Sequence, residues 1–154
     1  MTPQFVSLTP ESAGALLELL AALQGSPEHA FFRPHAFDRA TVDTLATAPG
    51  KDFYCLAMDD GRALAYGMLR GWNEGYAVPS LGIAVHPAAR RRGAGKAMML
   101  RLHEEARRRG AARVRLRVMK DNASAITLYR RLGYVFGAEK DGYFEGFVDL
   151  ARHD

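Results

Sequence analysis

Apolar positions recur along this chain with two different periods, and the switches between them delimit its elements. Gln4 to Leu8 reads as a short strand. Thr9-Pro10 has the form of an N-cap followed by proline at the first helical position. Ala13, Leu16, Leu17, Leu20 and Leu23 then follow at helical spacing, and Gly25-Ser26-Pro27 ends that helix. Asp38 is placed to cap a second short helix that buries Val42, Leu45 and Ala46. Phe53–Met58 and Ala63–Leu69 flank Asp59-Asp60-Gly61-Arg62, a hairpin in which Asp-Gly makes the tight turn. Tyr76 to Val85 reads as a further strand. A helix from about Ala94 to Arg109 buries Met98, Leu102 and Ala106 and stops at Gly110. Val114, Leu116 and Val118 alternate with Arg113, Arg115 and Arg117, the pattern of a strand with one wet face. Asn122 to Leu132 is a short helix closed by Gly133, and Tyr134–Phe136 and Tyr143–Leu150 finish the chain as strands.

The order β-α-α-β-β-β-α-β-α-β-β contains no repeat and no linker, and 154 residues make one domain, 1–154, with a sizeable core. Hydrophobic content of 48% with 25% charged residues is that of a soluble globular protein. No apolar run approaches the ~18 residues of a membrane span, and the first residues have neither the basic nor the apolar segment of a secretory leader. Cys55 is the only cysteine. It excludes an internal disulfide, suits a reducing cytoplasm, and sits in an apolar strand as a core thiol would.

The net charge of +4 is modest, but 14 of the 21 basic residues lie between Arg90 and Arg131. Within that region, Val85-His86-Pro87-Ala88-Ala89-Arg90-Arg91-Arg92-Gly93-Ala94-Gly95-Lys96 carries a strand through a basic, glycine-rich turn into a helix. A helix N-terminus offers free N–H groups and the positive end of its dipole, and so favours a pyrophosphate. Gly93 and Gly95 leave the backbone open to close approach. Two other phosphate motifs fail on spacing. A P-loop needs glycine where Arg90 stands and Ser or Thr where Ala97 stands, and a dinucleotide fingerprint needs glycine at Met98. Ala-Arg-Arg-Arg-Gly occurs again at 106–110, where it closes a helix and reads as a solvated end whose arginines offset the negative dipole.

Arg90-x-x-Gly93-x-Gly95 after a Val-x-Pro strand exit resembles the acyl-CoA signature of the GNAT N-acyltransferases. Asn122-x-x-Ala125-x-x-Leu128-Tyr129-x-x-x-Gly133-Tyr134 resembles the same family's second motif, at the family's separation. The matching segments span roughly residues 81–136. The resemblance implies an α/β fold: a mixed, mostly antiparallel sheet of about seven strands, with helices on both faces and one splayed parallel pair. It also implies an acetyl-CoA-dependent N-acetyltransferase acting by direct transfer in a ternary complex. Arg90, Arg91, Arg92, Gly93, Ala94, Gly95 and Lys96 would then hold the pyrophosphate. Ile83, Ala84, Val85 and Asn122 would hold the pantetheine arm, and Tyr129 would protonate the departing thiolate. No metal is implied, and a monomer and a homodimer both remain open.

An amine of pKa ~10.4 is neutral in only about one molecule in 2,500 at pH 7, so its deprotonation is worth about 4–5 kcal/mol and calls for a base or water relay. Many family members place a Glu on the strand before the glycine turn, and Tyr76 to Ile83 carries no carboxylate. Glu74, just ahead of that strand, is the first candidate. Ser80 is suited to orienting a water, and His35 and His86 to titrating near neutrality. Acceptor recognition is expected from Phe31–His35, Trp72–Tyr76 and Tyr143, whose aromatics suit an acceptor with apolar or ring surface, a sugar or an aromatic amine. Two other readings remain: an acyl-CoA-binding module without catalysis, and a nucleic-acid binder. The second is disfavoured because many of the basic residues cap a helix or alternate along a strand.

Overall fold

The computed structural model describes residues 3–27, 32, 34–48 and 50–150. Its elements follow the expected order: β1 (Gln4–Ser7), α1 (Ala13–Gln24), α2 (Arg39–Thr47), β2 (Phe53–Asp59), β3 (Arg62–Arg70), β4 (Ser80–Val85), α3 (Ala94–Arg108), β5 (Arg113–Met119), α4 (Ala123–Arg131), β6 (Val135–Phe136) and β7 (Tyr143–Asp149). The seven strands form one sheet in the order β1-β2-β3-β4-β5-β7-β6. Every neighbouring pair is antiparallel except β4 with β5.

The period-2 pattern sorts side chains onto two faces. Val114, Leu116 and Val118 of β5 join Met98, Met99, Leu102 and Ala106 of α3 and Ile126 and Tyr129 of α4 in one core. Tyr54, Leu56, Tyr66, Met68 and Ala84 face the other way, against Leu16, Leu19, Leu20 and Leu23 of α1 and Val42 of α2. The helices therefore lie on both faces. Cys55 is buried in the first core, where burial raises its thiol to about 11, so it is an inert apolar side chain.

Two element starts differ from the sequence reading. Helix α1 begins at Ala13, not at Pro10, because the Ser12 hydroxyl accepts the Thr9 N–H at 2.9 Å and holds Thr9–Ser12 as a separate turn. Strand β4 begins at Ser80, not at Tyr76. The Tyr76 N–H is committed to the Gly71 carbonyl, and the buried Asp52 carboxylate accepts from the Gly71 and Asn73 N–H groups, which winds residues 71–76 into a loop. Asp38 caps α2 as expected, accepting from the Thr41 N–H at 2.7 Å.

Candidate active site

A 3-10 turn, Pro87–Ala89, joins β4 to the basic segment. The His86 ring accepts the Ala88 N–H at 3.0 Å and so caps this turn. The backbone then turns through two left-handed residues, Arg91 (φ 64°) and Gly93 (φ 79°), and Gly93 becomes the N-cap of α3. No side chain caps this helix. Its first N–H groups face outward, with Arg91, Arg92 and Lys96 exposed around them and open space where a Gly93 Cβ would stand.

Gly95 has a different reason for being glycine. A Cβ there would lie 3.3 Å from Val85 and 3.6 Å from Leu128, so Gly95 lets α3 pack tightly between β4 and α4 and does not clear a path for a ligand. The Ala94 methyl is likewise buried in the core, which leaves only its backbone to meet an anion.

Strands β4 and β5 pair at Ser80↔Arg115 and nowhere beyond. Past that point they diverge, and the β5-facing edge of β4 from Leu81 to Val85, including Ile83 and Ala84, has backbone groups left to satisfy. The result is a slot, closed at Ser80 and open toward the uncapped end of α3. An uncapped anion-attracting helix end continuing into an unpaired strand edge suits an acyl-CoA, with its pyrophosphate at the helix and its amide-bearing arm along the strand.

Helix α4 borders the slot region. Asn122 caps it, accepting the Ala125 N–H at 3.3 Å, and its amide NH2 remains available to donate. Tyr129 packs in the α3-side core with its ring 5.8 Å from that of Tyr134, which in turn bonds His103 at 2.8 Å. Among the described residues the Tyr129 hydroxyl has no hydrogen-bond partner. Burial raises the phenol to about 12. The sequence expectation took an ordinary phenol, ~2 kcal/mol uphill of a free thiolate; in this setting the gap widens to roughly 5 kcal/mol.

The chain's match to the Acetyltransferase (GNAT) family model, over residues 17–134, is decisive. The chain belongs to the GNAT family. Solved GNAT structures share its fold. The PaiA N-acetyltransferase of Thermoplasma acidophilum, in complex with coenzyme A, is 13% identical with a TM-score of 0.81, over 97% of this chain and 99% of that one. YncA of Salmonella typhimurium, a putative acetyltransferase with its cofactor acetyl-CoA, is 20% identical with a TM-score of 0.75, over 100% and 97%. The ribosomal-protein-S18-alanine N-acetyltransferase of Escherichia coli is 20% identical with a TM-score of 0.70, over 98% and 96%. A comparison with curated protein sequences finds no match.

In this GNAT chain the expected acceptor residues separate. Phe31 and Arg33 lie outside the described residues. Phe32 packs its ring 6.1 Å from Tyr66 on the α1 side of the sheet, and His35 reaches the Tyr66 hydroxyl at 2.9 Å and the Ala36 carbonyl at 2.8 Å. Burial lowers the pKa of His35. Trp72 packs against the α3-side core under the Arg109 guanidinium, 4.7 Å from its ring, so it closes the core on the opposite face. Glu74 is exposed in the loop that enters β4.

Tyr143 lies beneath Arg117, which stacks 4.2 Å from its ring. Sequence reasoning missed Arg115, Arg117 and Glu145. The alternation on β5 identified a wet face, and the expected parallel pairing with β4, seen at Ser80↔Arg115, puts that face beside the slot. Among the described residues no cluster of metal-ligating side chains occurs, and no helix is long and apolar enough to cross a membrane.

Proposed function

We propose that this chain, as a single domain over residues 1–154, is an N-acetyltransferase that moves the acetyl group of acetyl-CoA to a primary amine by direct attack in a ternary complex. The observation that carries the reading is the splayed β4–β5 pair opening onto the uncapped N-terminus of α3. The amine nitrogen bonds the acyl carbon, the carbon–sulfur bond breaks, and the thiolate takes the Tyr129 proton as the amine loses its own. Arg90, Arg91, Arg92, Lys96 and the backbone of Gly93, Ala94 and Gly95 hold the pyrophosphate. The backbone of Ile83, Ala84 and Val85 and the Asn122 amide hold the arm.

Tyr129 suits the acid role because its hydroxyl is unclaimed and a phenol raised to about 12 is fully protonated at neutral pH. The burial that raises it also disfavours a bare thiolate leaving beside it, which narrows the 5 kcal/mol gap. Glu74 is the proposed base, acting directly or through a water at the closed end of the slot. The absence of a placed nucleophile in the sequence argues against an acyl-enzyme, and the reduced, buried Cys55 suits the cytoplasm.

The test is CoA release with a panel of primary amines, for the wild type and Tyr129→Phe. The enzyme reading expects turnover that Tyr129→Phe lowers about 10²–10⁴-fold, with acetyl-CoA affinity kept. Acetyl-CoA binding without turnover across the panel would favour the non-catalytic binding module.

A further inference from the structure

Helices α1 and α2 cover only part of one sheet face, the part built by β1 to β4. On that same side, β5, β7 and β6 carry no helix, and their exposed rows hold Arg115 and Arg117 beside Tyr143, Glu145 and Phe147. A cavity of about 1080 Å³ touches these residues and wraps round the β6–β7 edge to His103 and Arg107 of α3. Register fixes its relation to the slot. One row across the sheet reads Arg70, Ser80, Arg115, Phe147, Val135. Ser80 and Arg115 are the closed end of the slot, and Arg117 lies two residues further along β5, roughly 7 Å on, beside the divergence itself.

We infer that the acceptor is a carboxylate-bearing amine, of the amino-acid type, whose carboxylate is held by Arg117 with Arg115 beside it at the closed end of the β4–β5 slot. This rests on the transferase reading above. With the pyrophosphate at α3, an arm laid along β4 points its sulfur at the closed end, so the attacking amine must arrive there. On its β5 side that arrival point is flanked by Arg115, Arg117 and one carboxylate, Glu145, while Arg70 across Ser80 on β3 donates to the Pro34 carbonyl. Glu145 is engaged by Arg115 at 2.6 Å, and the next pair outward, Arg113 with Asp149, balances itself.

Arg117 has no carboxylate partner among the described residues. Its guanidinium carbon lies over the Tyr143 ring, 4.2 Å from the centroid, which positions the head, and a guanidinium can take a carboxylate with two parallel N–H bonds. Arg115 adds an independent sign: its Nε is buried and has no hydrogen-bond partner. A buried donor without an acceptor is costly, so Glu145 leaves the Arg115 head incompletely satisfied and free to re-pair when a second carboxylate arrives. The separation of Arg117 from the slot limits the carboxylate to a few bonds from the amine.

The experiment compares matched acceptors by CoA release: L-alanine, L-phenylalanine and L-lysine against ethylamine, phenethylamine and cadaverine, with acetyl-CoA binding measured separately. The expected result is a kcat/KM ratio of about ten to a hundred in favour of each carboxylated amine. Arg117→Ala and Arg117→Met should collapse that ratio through KM, and Arg117→Lys should restore only part of it. Arg113→Ala, paired outward with Asp149, should preserve it. A wild-type ratio near one, a ratio that survives Arg117→Ala, or acetyl-CoA binding with no release above background for any of the six amines would overturn the inference. Failure to bind acetyl-CoA would instead overturn the transferase reading beneath it.

Discussion

Helix α3 begins and ends with the same five residues. Ala89-Arg90-Arg91-Arg92-Gly93 enters it and Ala106-Arg107-Arg108-Arg109-Gly110 leaves it. At the exit two of the three arginines are paired. Arg108 and Arg109, with Arg101 from a turn earlier, converge on Glu105, whose side chain is only 3% exposed. Arg109 also donates to the Lys51 carbonyl and stacks 5.2 Å from the Phe53 ring and 4.7 Å from Trp72. This is a latch between α3, β2 and the loop after β3, built onto the solvated helix end expected from sequence, for Arg107, Arg108 and Arg109 all stay exposed.

At the entrance Arg91 and Arg92 are exposed too, but around an uncapped turn. Position relative to the dipole decides the difference. At the exit the carbonyl end is negative and a buried carboxylate gathers the cations, whereas at the entrance the N–H groups and the cations point the same way, toward a missing anion. Local composition is no guide to function until the helix end is known.

Breaking the exit should have the largest effect on stability and none on the ligand. Burial alone would raise the pKa of Glu105, but hydrogen bonds from Arg109 and Arg101 outweigh it and hold the carboxyl below its usual range. Removing it strands three cations on one site, so Glu105→Ala should cost about 3–5 kcal/mol in denaturant unfolding. Acetyl-CoA affinity of the folded protein should not change.

Next in size is a pH effect seated in the same half of the helix. His103 bonds Tyr134, and burial, with the Arg107 charge adding to it, lowers its pKa to about 4. Below about pH 6.5 the unfolded chain takes up a proton that the folded chain refuses until about pH 4. Stability should therefore fall as pH drops through that window, by roughly 3 kcal/mol at its lower end. His103→Gln keeps a partner for Tyr134 and should flatten this part of the stability–pH profile; an unchanged slope would assign the effect to other groups.

The smallest and most discriminating pair is Gly93→Ala and Gly110→Ala. Both glycines hold left-handed backbone, at φ 79° and 84°, so each change should cost about 1 kcal/mol in stability. Only Gly93→Ala should also weaken acetyl-CoA binding, and equal losses of affinity would erase the distinction between the two ends.

Much of this architecture was legible in the chain. Val114, Leu116 and Val118 announced a strand and its buried face, and Asp60-Gly61 announced the β2–β3 turn. The ordered pair of motifs announced the family. What escaped notice depended on long-range contacts. Arg109 looks like any helix-terminal cation until Trp72 and Phe53 are brought beneath it from elements far away in sequence. Thr9-Pro10 has the signature of a helix start, yet the Ser12 hydroxyl outcompetes it. Arg115 and Arg117 stayed outside the candidate set although the family resemblance already set the strand after α3 parallel to β4, because period-2 alternation marks a face as wet without saying what it meets.

The central claim is that the entrance of α3 is the acyl-CoA site. Calorimetric titration with acetyl-CoA tests it most directly, run on the wild type, on Arg92→Ala/Gly93→Asp, and on Arg107→Ala/Arg108→Ala at the other end. The account predicts micromolar binding by the wild type, loss of binding in the first double variant, and near wild-type affinity in the second. No binding by the wild type, or equal loss in both variants, would contradict it.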